Sequence, residues 1–545
     1  MGGILESMFP RVAQRRAEAR LAAAAADARA ANLRALQSQI ERRSAFKAAE
    51  TNRLNANMPR WTGDLNTWLL TQLPVLRARS RWLCANNPYA SSAIGMLCNY
   101  VVGTGMVPQA ATRYAEKQPD GTIRLVEREA WNDYVDDLWQ EWADNVDVTA
   151  GPGEESGWWE FQSVVLRRLF EDGEVFIRLL NPKDWPVVPF ASEILMPEWV
   201  NTYIQKDSQT GNRIVAGIEL DRFGRKVAYH FQKAQPDGTS NFASDVRIPA
   251  TDIIHIFIRH QPRQLRGVPL MVPVLERFYS LDEYADFELI SAKIAACFGA
   301  FITRPPGDKG DILNKGDGSV AVRDAEGNEL TTVEPGMIAN LPEGYGVTFA
   351  QPQKPGATFD MFTTFHLRAL GAGIEGGLSY ESLTRDTSRS TFAGGRLAQI
   401  MDYQTYRNMQ MFLEKRLGVP YRRRWLEAAV ESGTVTAPGY FTDAKTRAAW
   451  ERCDFIHSGW SWGINPVQEV NAATASMRAG ITTLADECSY LGRNWKQQLR
   501  LQAKINREAA ALGIQLAGNP ADDGKDDTAA IPDEKDPPTE DIETP

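Results

Sequence analysis

Residues 377–396 read GLSYESLTRDTSRSTFAGGR. The stretch is short, polar and rich in Ser, Thr and Arg. Both flanks carry a helical pattern: FHLRALGAGI (365–374) before it, LAQIMDYQTYRNMQMFLEKRL (397–417) after it. It is too long for a tight turn. It holds no His, no Cys and no glycine spacing that would cradle a phosphate. On the residues alone it reads as a polar surface linker, with Ser390 or Thr391 capping the following helix.

The pattern continues outward on both sides. Upstream, VPVLERFYSLDEYADFELISAKIAAC (272–297) has no Gly or Pro after Pro273 and predicts one long helix. Some 25 residues at 1.5 Å rise would span roughly 38 Å. Between that helix and the one before the polar stretch, residues 303–356 are loop- and strand-like. RPPGDKGD, NKGDGS and EPGM are their turns. Residues 185–260 are strand-rich: IVAGIEL, KVAYHF and DIIHIFIRH, with DRFGR as the hairpin turn between the first two.

Further out, ARSRWLCANNPYASSAIGMLCNYVVGTG (78–105) reads as helix, a break at Asn87-Pro88, a second helix and a Gly turn. Trp131, Tyr134, Val135, Leu138, Trp139 and Trp142 recur at helical spacing and form one apolar stripe. Core or interface packing accounts for it. A helix from about Trp158 to Phe170 precedes EDGEVFIRLL, a turn and a strand. Beyond Arg447 short helices follow, NPVQEVNAATASMRAG among them.

The ends differ in composition. Residues 1–60 are rich in Ala and Arg, with eleven Lys or Arg against five Asp or Glu. They read as a solvated helical arm or as a basic arm touching nucleic acid or a partner. The last twenty-five residues hold ten acids, two lysines and repeated Pro, the pattern of a disordered acidic tail.

The whole chain has 545 residues, a net charge of −9 and fifteen Trp. Such a charge opposes gripping DNA over the whole surface, because grip comes from Lys and Arg neutralising phosphates. The five Cys are scattered and never CxxC, which points to a reducing compartment rather than a disulfide framework or zinc ribbon. No signal peptide, myristoylation site or apolar run of about 18 residues is present.

Catalytic patterns are missing too. His255 and His260 fall on opposite faces of a strand and cannot chelate together. The other His stand alone. There is no GxxxxGK[ST] and no GxSxG. GDKGDILNKGDGS (307–319) lacks the Lys-Ser/Thr ending of a phosphate loop and reads as turns. Asp282, Glu283, Asp286 and Glu288 lie on one helix and read as a solvated acidic face. The residues therefore point to no enzyme, no cofactor and no metal.

The order of elements, and four stretches within it, carry a family resemblance. NNPYASSAIGMLCNYVVGTGMVPQ, FQSVVLRRLFEDGEVFIRL, RQLRGVPLMVPVLERFYSLDEYADFELISAKIAACFGAFI and GLSYESLTRDTSRSTFAGGR occur in sequence from Asn86 onward. With the helix that follows, to about Leu417, the chain resembles the portal proteins of tailed bacteriophages, specifically the lambda-type portal family. The resemblance implies an α+β, mainly helical, portal-type fold of wing, stem, clip and crown, assembled into a dodecameric ring with a central channel.

Mapped onto this sequence, 61–268 resembles the α/β wing and 269–299 the first stem helix. Residues 300–356 resemble the clip, 357–376 the second stem helix and 377–396 the tunnel loop. The long wing helix region would be 397–446 and the α-rich crown 447–518. The arm (1–60) and the acidic tail (519–545) lie outside the resemblance.

The resemblance also implies a role for the opening stretch. Each subunit would project it into the channel as a collar against DNA. Ser379, Ser382, Thr384, Thr387, Ser388 and Ser390 would offer weak hydrogen bonds to phosphates without reading bases. Arg385, Arg389 and Arg396 would add positive charge, partly offset by Asp386. The implied partners are further copies of the chain, the terminase large subunit, a head-completion or tail connector protein, the major capsid protein and scaffold, and double-stranded DNA. No membrane is implied. The implied location is the capsid portal vertex of the virion, with host cytoplasm during assembly. Two other readings remain: another ring-forming virion connector or scaffold, or a DNA-processing enzyme using the carboxylates of 282–288. Length favours the portal.

Overall fold

The computed structural model describes residues 65–297 apart from 120, 150–156, 208 and 235–239, then 301–303, 346–348, 359–459 and 466–514, with residues 21, 23, 24 and 27 near the N-terminus. The basic arm, most of the expected clip and the acidic tail lie outside the described residues. Two compact units divide at Asp64/Leu65, and the second is described here.

It begins with helix α1 (Leu65–Asn86), whose Leu69, Leu73, Arg77, Ser80, Leu83 and Cys84 form one buried face. The break expected at Asn87-Pro88 is a helix cap. The Asn87 side chain accepts the N–H groups of Tyr89 and Ala90, both at 3.0 Å, and starts α2 (Pro88–Leu97) with proline in the first turn. Strand β1 (Val107–Ala110) and the hairpin β2 (Arg113–Lys117) and β3 (Ile123–Glu127) lead into α3 (Glu129–Trp142).

Val135, Leu138, Trp139 and Trp142 of the α3 stripe are buried in the chain's own core, while Trp131 is half-buried and Tyr134 exposed. Trp139 lies 5.1 Å from Trp142, 5.1 Å from Trp425 and 5.6 Å from Trp158, centroid to centroid. The indole N–H groups of Trp142 and Trp158 donate to the carbonyls of Phe190 (2.9 Å) and Met106 (2.6 Å). Each such ring removes roughly 150–250 Å² from water. Of the two packing roles expected for the stripe, the core is filled by Val135, Leu138, Trp139 and Trp142.

Helix α4 (Trp158–Asp172) ends at Gly173, φ +81°. Strand β4 (Glu174–Leu180) follows and is the centre of an antiparallel sheet with β5 (Ala191–Leu195) and, later, β10. A four-stranded antiparallel sheet runs β6 (Arg213–Val215), β7 (Ile218–Leu220), β8 (Lys226–Ala234), β9 (Ser240–Pro249). IVAGIEL, expected as one strand, is two. Ala216 (φ 55°) and Gly217 (φ 79°) both take positive φ, which reverses the chain between β6 and β7. The DRFGR turn is as expected, with Gly224 at φ 79° and Asp221 accepting from the N–H groups of Phe223 and Arg225. Strand β10 (Ile253–Phe257) then pairs with β4, Ile254 opposite Ile177.

Helix α5 (Leu275–Cys297) is the long helix that the sequence implies. Strands β11 (Phe301–Thr303) and β12 (Gly346–Thr348) pair antiparallel, Phe301 opposite Thr348. Helix α6 (Phe359–Gly373) returns beside α5. Tyr284 stacks 5.9 Å from Phe359 near one end of the pair, and a Cβ on Gly373 would lie 2.5 Å from Val274 at the other. The two helices are therefore antiparallel.

After α7 (Tyr380–Thr384), helix α8 (Phe392–Leu413), a π turn (Glu414–Gly418) and α9 (Val419–Glu431) follow without interruption. The C-terminal part is α10 (Ala444–Trp450), β13 (Cys453–Ile456), α11 (Pro466–Arg478), α12 (Leu484–Tyr490) and α13 (Trp495–Leu512). It is helical with one exception. Strand β13 pairs with β1, Val107 opposite Ile456, and ties the C-terminal part to the first strand of the chain. Among the described residues, no helix is long and apolar enough to cross a membrane, and Cys84, Cys98, Cys453 and Cys488 are free thiols.

Candidate functional site

The stretch 377–396 is more ordered than a linker. It leaves α6 through Gly376 (φ 87°) and Gly377 (φ 77°). Leu378 N–H turns back to the carbonyl of Gly371 at 2.9 Å. A Cβ on Gly371 would lie 2.4 Å from the Leu378 carbonyl, so only glycine allows this approach. Ser379 then caps α7, its hydroxyl accepting from Ser382 N–H, and Leu383 is fully buried. Arg385 closes the helix in the left-handed region, φ 59°. Thr391 caps α8 by accepting from Gly394 N–H. The non-helical parts are thus the root 377–379 and the tip 385–391, shorter than the twenty-residue loop read from sequence.

The anchor is Asp402, one helical turn into the buried stripe Asp402, Tyr406, Met409 and Leu413 of α8. Ser379 donates its N–H to Asp402 Oδ1 (2.9 Å) and its hydroxyl to Oδ2 (2.6 Å), and the Ser382 hydroxyl donates to Oδ2 as well. Thr405 Oγ1 donates to the Gly376 carbonyl at 2.6 Å. These bonds fasten the root of the stretch to the helix behind it.

The nine residues expected to line a channel divide into three groups. Ser379, Ser382, Thr384 and Ser390 use their hydroxyls within the chain: the first two on Asp402, Thr384 on the Tyr380 carbonyl (2.8 Å), Ser390 on Glu381. Arg385, Thr387, Ser388 and Arg389 are exposed at the tip. Arg396 lies on α8 and pairs with Glu469 at 2.7 Å.

At the tip the charges nearly cancel. Arg389 donates to Asp360 of α6 and to Thr364 Oγ1 (3.3 Å), and the Asp360 bond raises its pKa. Asp386 accepts from Ser388, whose side chain and N–H hold its carboxyl below the usual range, and from the Tyr380 hydroxyl at 3.0 Å. Arg385 donates to Met96 Sδ at 3.4 Å. The result is a small polar surface that can touch a polyanion but is too nearly neutral to hold one tightly.

A second cluster lies inside the α/β part, where two of the signature stretches meet. Glu174, from FEDGEVF, is fully buried and accepts from Arg266 Nε (2.8 Å) and Nη2 (2.6 Å), from the Gly267 N–H (2.9 Å) and from Arg77 of α1. His255 Nε2 lies 3.0 Å from its second oxygen. The approach is possible because Gly267 packs on Gly173, where a Cβ on Gly267 would sit 2.0 Å from the Gly173 carbonyl. Burial opposes ionisation of Glu174, but Arg266 and Arg77 hold its carboxyl well below the usual range. Burial and the neighbouring Lys226 hold His255 down at about 3, so it stays neutral. With every acceptor site occupied, the cluster is a clamp on the chain just ahead of α5 rather than a reaction centre.

His255 and His260 do not come together. His255 points to Glu174, while His260 lies beyond the end of β10 and donates its N–H to Gln264. The acidic residues 282–288 mostly face solvent on α5. Asp402 was legible only as a charged residue on an otherwise buried helical stripe. Glu174 and Arg266 carried no sequence signal, being 92 residues apart.

Residues 51–410 match the family model described as phage portal protein, lambda family. The probable portal protein of Halomonas phage phiHAP-1 is 26% identical over 469 residues, covering 82% of this chain and 82% of the relative. Portal protein B of Escherichia phage lambda is 23% identical over 495 residues, covering 83% of this chain and 89% of the relative. Among solved structures, a chain from the virion of a native gene transfer agent particle aligns at 13% identity and TM-score 0.44, over 77% of this chain and 93% of that one.

Proposed function

The chain belongs to the lambda family of phage portal proteins, and from that premise we propose that it forms the ring-shaped channel at one capsid vertex through which DNA is packaged and later ejected. The observation that carries this reading is the unbroken family match over 51–410, which contains the α5–α6 pair and the anchored stretch 377–396. In this reading α5 and α6 are the stem helices, 300–356 is the clip, 61–268 with 397–446 is the wing, and 447–518 is the crown. The role is that of a conduit and joining platform, not of a catalyst. Its location is the virion, reached by assembly in the host cytoplasm.

Closed rings need two different complementary faces on each subunit. The exposed apolar side chains of α5 and α6, Phe287, Leu289, Ile290, Met361 and Phe365, suit that purpose, since a monomer rarely leaves so many exposed together. We assign the ring twelve subunits. The terminase large subunit, the head-completion or tail connector protein, and the major capsid protein with its scaffold are its partners.

The tip 385–391 would face the passing double helix. Its near-neutral charge suits sliding, because net phosphate neutralisation would slow release. The test is Arg385→Glu with Arg389→Gln, which makes the tip acidic without setting two carboxylates against each other at Asp360. Heads should assemble, and the length of packaged DNA should fall. Full-length packaging by this variant would show that the tip does not contact DNA.

A further inference from the structure

Three ionisable groups, two on the four-stranded sheet and one in the turn ahead of β6, serve neither the channel nor the Glu174 clamp. Asp207, Glu219 on β7 and His230 on β8 are all buried, and one potential ligand atom from each lies within 4.8 Å of the others. The sheet register brings them together. His230 Nδ1 lies 2.8 Å from Asp245 Oδ2, which places the proton on Nδ1. Its Nε2 faces the other two groups. That nitrogen is buried without a hydrogen-bond partner, 3.5 Å from Glu219 Oε2. A buried ring nitrogen that faces a carboxylate oxygen without a hydrogen bond is unfavourable unless a proton or a metal ion lies between them.

We propose that Asp207, Glu219 and His230 bind one divalent transition-metal ion, with Asp245 as the residue that positions the imidazole. A histidine that gives its second ring N–H to a carboxylate is the usual arrangement of a metal ligand. The carboxylates are oriented in the same way. Asn212 Nδ2 (2.7 Å) holds Glu219 Oε1, and the Thr210 hydroxyl, 2.8 Å from both Glu219 Oε1 and Asp207 Oδ1, donates to one of the two. The N–H groups of Gln209 (2.9 Å) and Thr210 both fall on Asp207 Oδ1.

One imidazole and two carboxylates suit Zn²⁺ or Co²⁺, whereas Ca²⁺ and Mg²⁺ prefer oxygen alone. Tetrahedral ligands about 2.0–2.1 Å from zinc sit about 3.3 Å from one another, so the three groups close slightly on binding. Arg247, 2.7 Å from Glu219 Oε2, moderates the affinity. The ion would pin the 207–212 turn to the sheet.

The test uses the untagged full chain after EDTA treatment and gel filtration. Co²⁺ titration should give a visible absorption band saturating at one ion per subunit, and zinc content should match. Asp207→Asn and His230→Gln should each weaken binding by about tenfold or more, and Asp245→Asn by about tenfold. Asp207→Asn keeps the Oδ1 acceptor, so unchanged circular dichroism confirms that it folds. Binding below a tenth of an ion per subunit would overturn the proposal. So would binding that persists in both ligand variants, which would place the ion elsewhere. So would nitrogen NMR showing His230 protonated on both nitrogens and indifferent to Zn²⁺, since His230 would then be a bridging imidazolium.

Discussion

Replacing Glu174 with Gln should be among the most damaging single changes in the chain. The carboxylate is completely buried and neutralises two guanidinium groups that are themselves 5% (Arg77) and 2% (Arg266) exposed. Glutamine keeps the shape but removes the charge and turns one acceptor into a donor. Arg266 then loses its carboxylate partner in the interior, and Arg77 keeps only the weaker influence of Glu198 and Asp172. Breaking a buried pair in this way costs about 3–5 kcal/mol, most of it the desolvation of the orphaned charge. At about 4 kcal/mol the ratio of folded to unfolded protein falls roughly a thousandfold. The assay is urea unfolding at one fixed subunit concentration, since assembly adds its own stability, with the slope checked for constancy. The same change in an Arg77→Met background should cost less, because one of the two stranded charges has gone. A loss under about 1 kcal/mol for Glu174→Gln, or equal losses in both backgrounds, would refute the idea that charge neutralisation is what this cluster provides.

The same cluster sets a pH dependence: His255 titrates at about 3 in the folded chain and near 6.5 when unfolded, so between these values the unfolded chain binds a proton that the folded one refuses. Stability should fall by about 1.4 kcal/mol per pH unit as pH drops below 6.5, with the depressed Glu174 adding a further loss below about 4.5. His255→Gln should flatten the upper part of that slope in a series of unfolding curves, and an unchanged slope would contradict the assignment. Asp402→Ala should release α7, since three hydrogen bonds to a charged acceptor vanish. Hydrogen exchange at the Leu383 amide should then accelerate about a hundredfold, and unaltered protection would show that Leu383 alone holds the helix. Gly267→Ala should cost about 3 kcal/mol or more because its methyl would meet the Gly173 carbonyl, whereas Gly433→Ala, in open space at φ +80°, should cost about 1. Equal effects on the unfolding midpoint would argue against the close crossing.

The long helices and the DRFGR hairpin were legible because their signals are local. Asn87-Pro88 announced a break, DRFGR a turn, and the run after Pro273 a helix, each within a few residues. The single strand over 214–220 failed on two residues, Ala216 and Gly217, of which only the glycine hinted at a turn. The β1–β13 pair escaped notice because its partners lie more than 340 residues apart, and no local pattern encodes such a pairing. Helix α7 was hidden by its own polarity. Only Leu383 is buried, and its root is held by Asp402, twenty-three residues beyond Ser379. The Asp207, Glu219 and His230 group was missed for a related reason. The register of β7 on β8 creates it, and the sequence shows only an isolated histidine.

The central claim is that copies of this chain close into a ring around a channel. The most direct test is negative-stain electron microscopy of the purified full-length protein, with its mass measured by light scattering across salt and protein concentration. The account predicts closed rings with a central hole and a mass near twelve subunits. Monomers or dimers alone under every condition would contradict it.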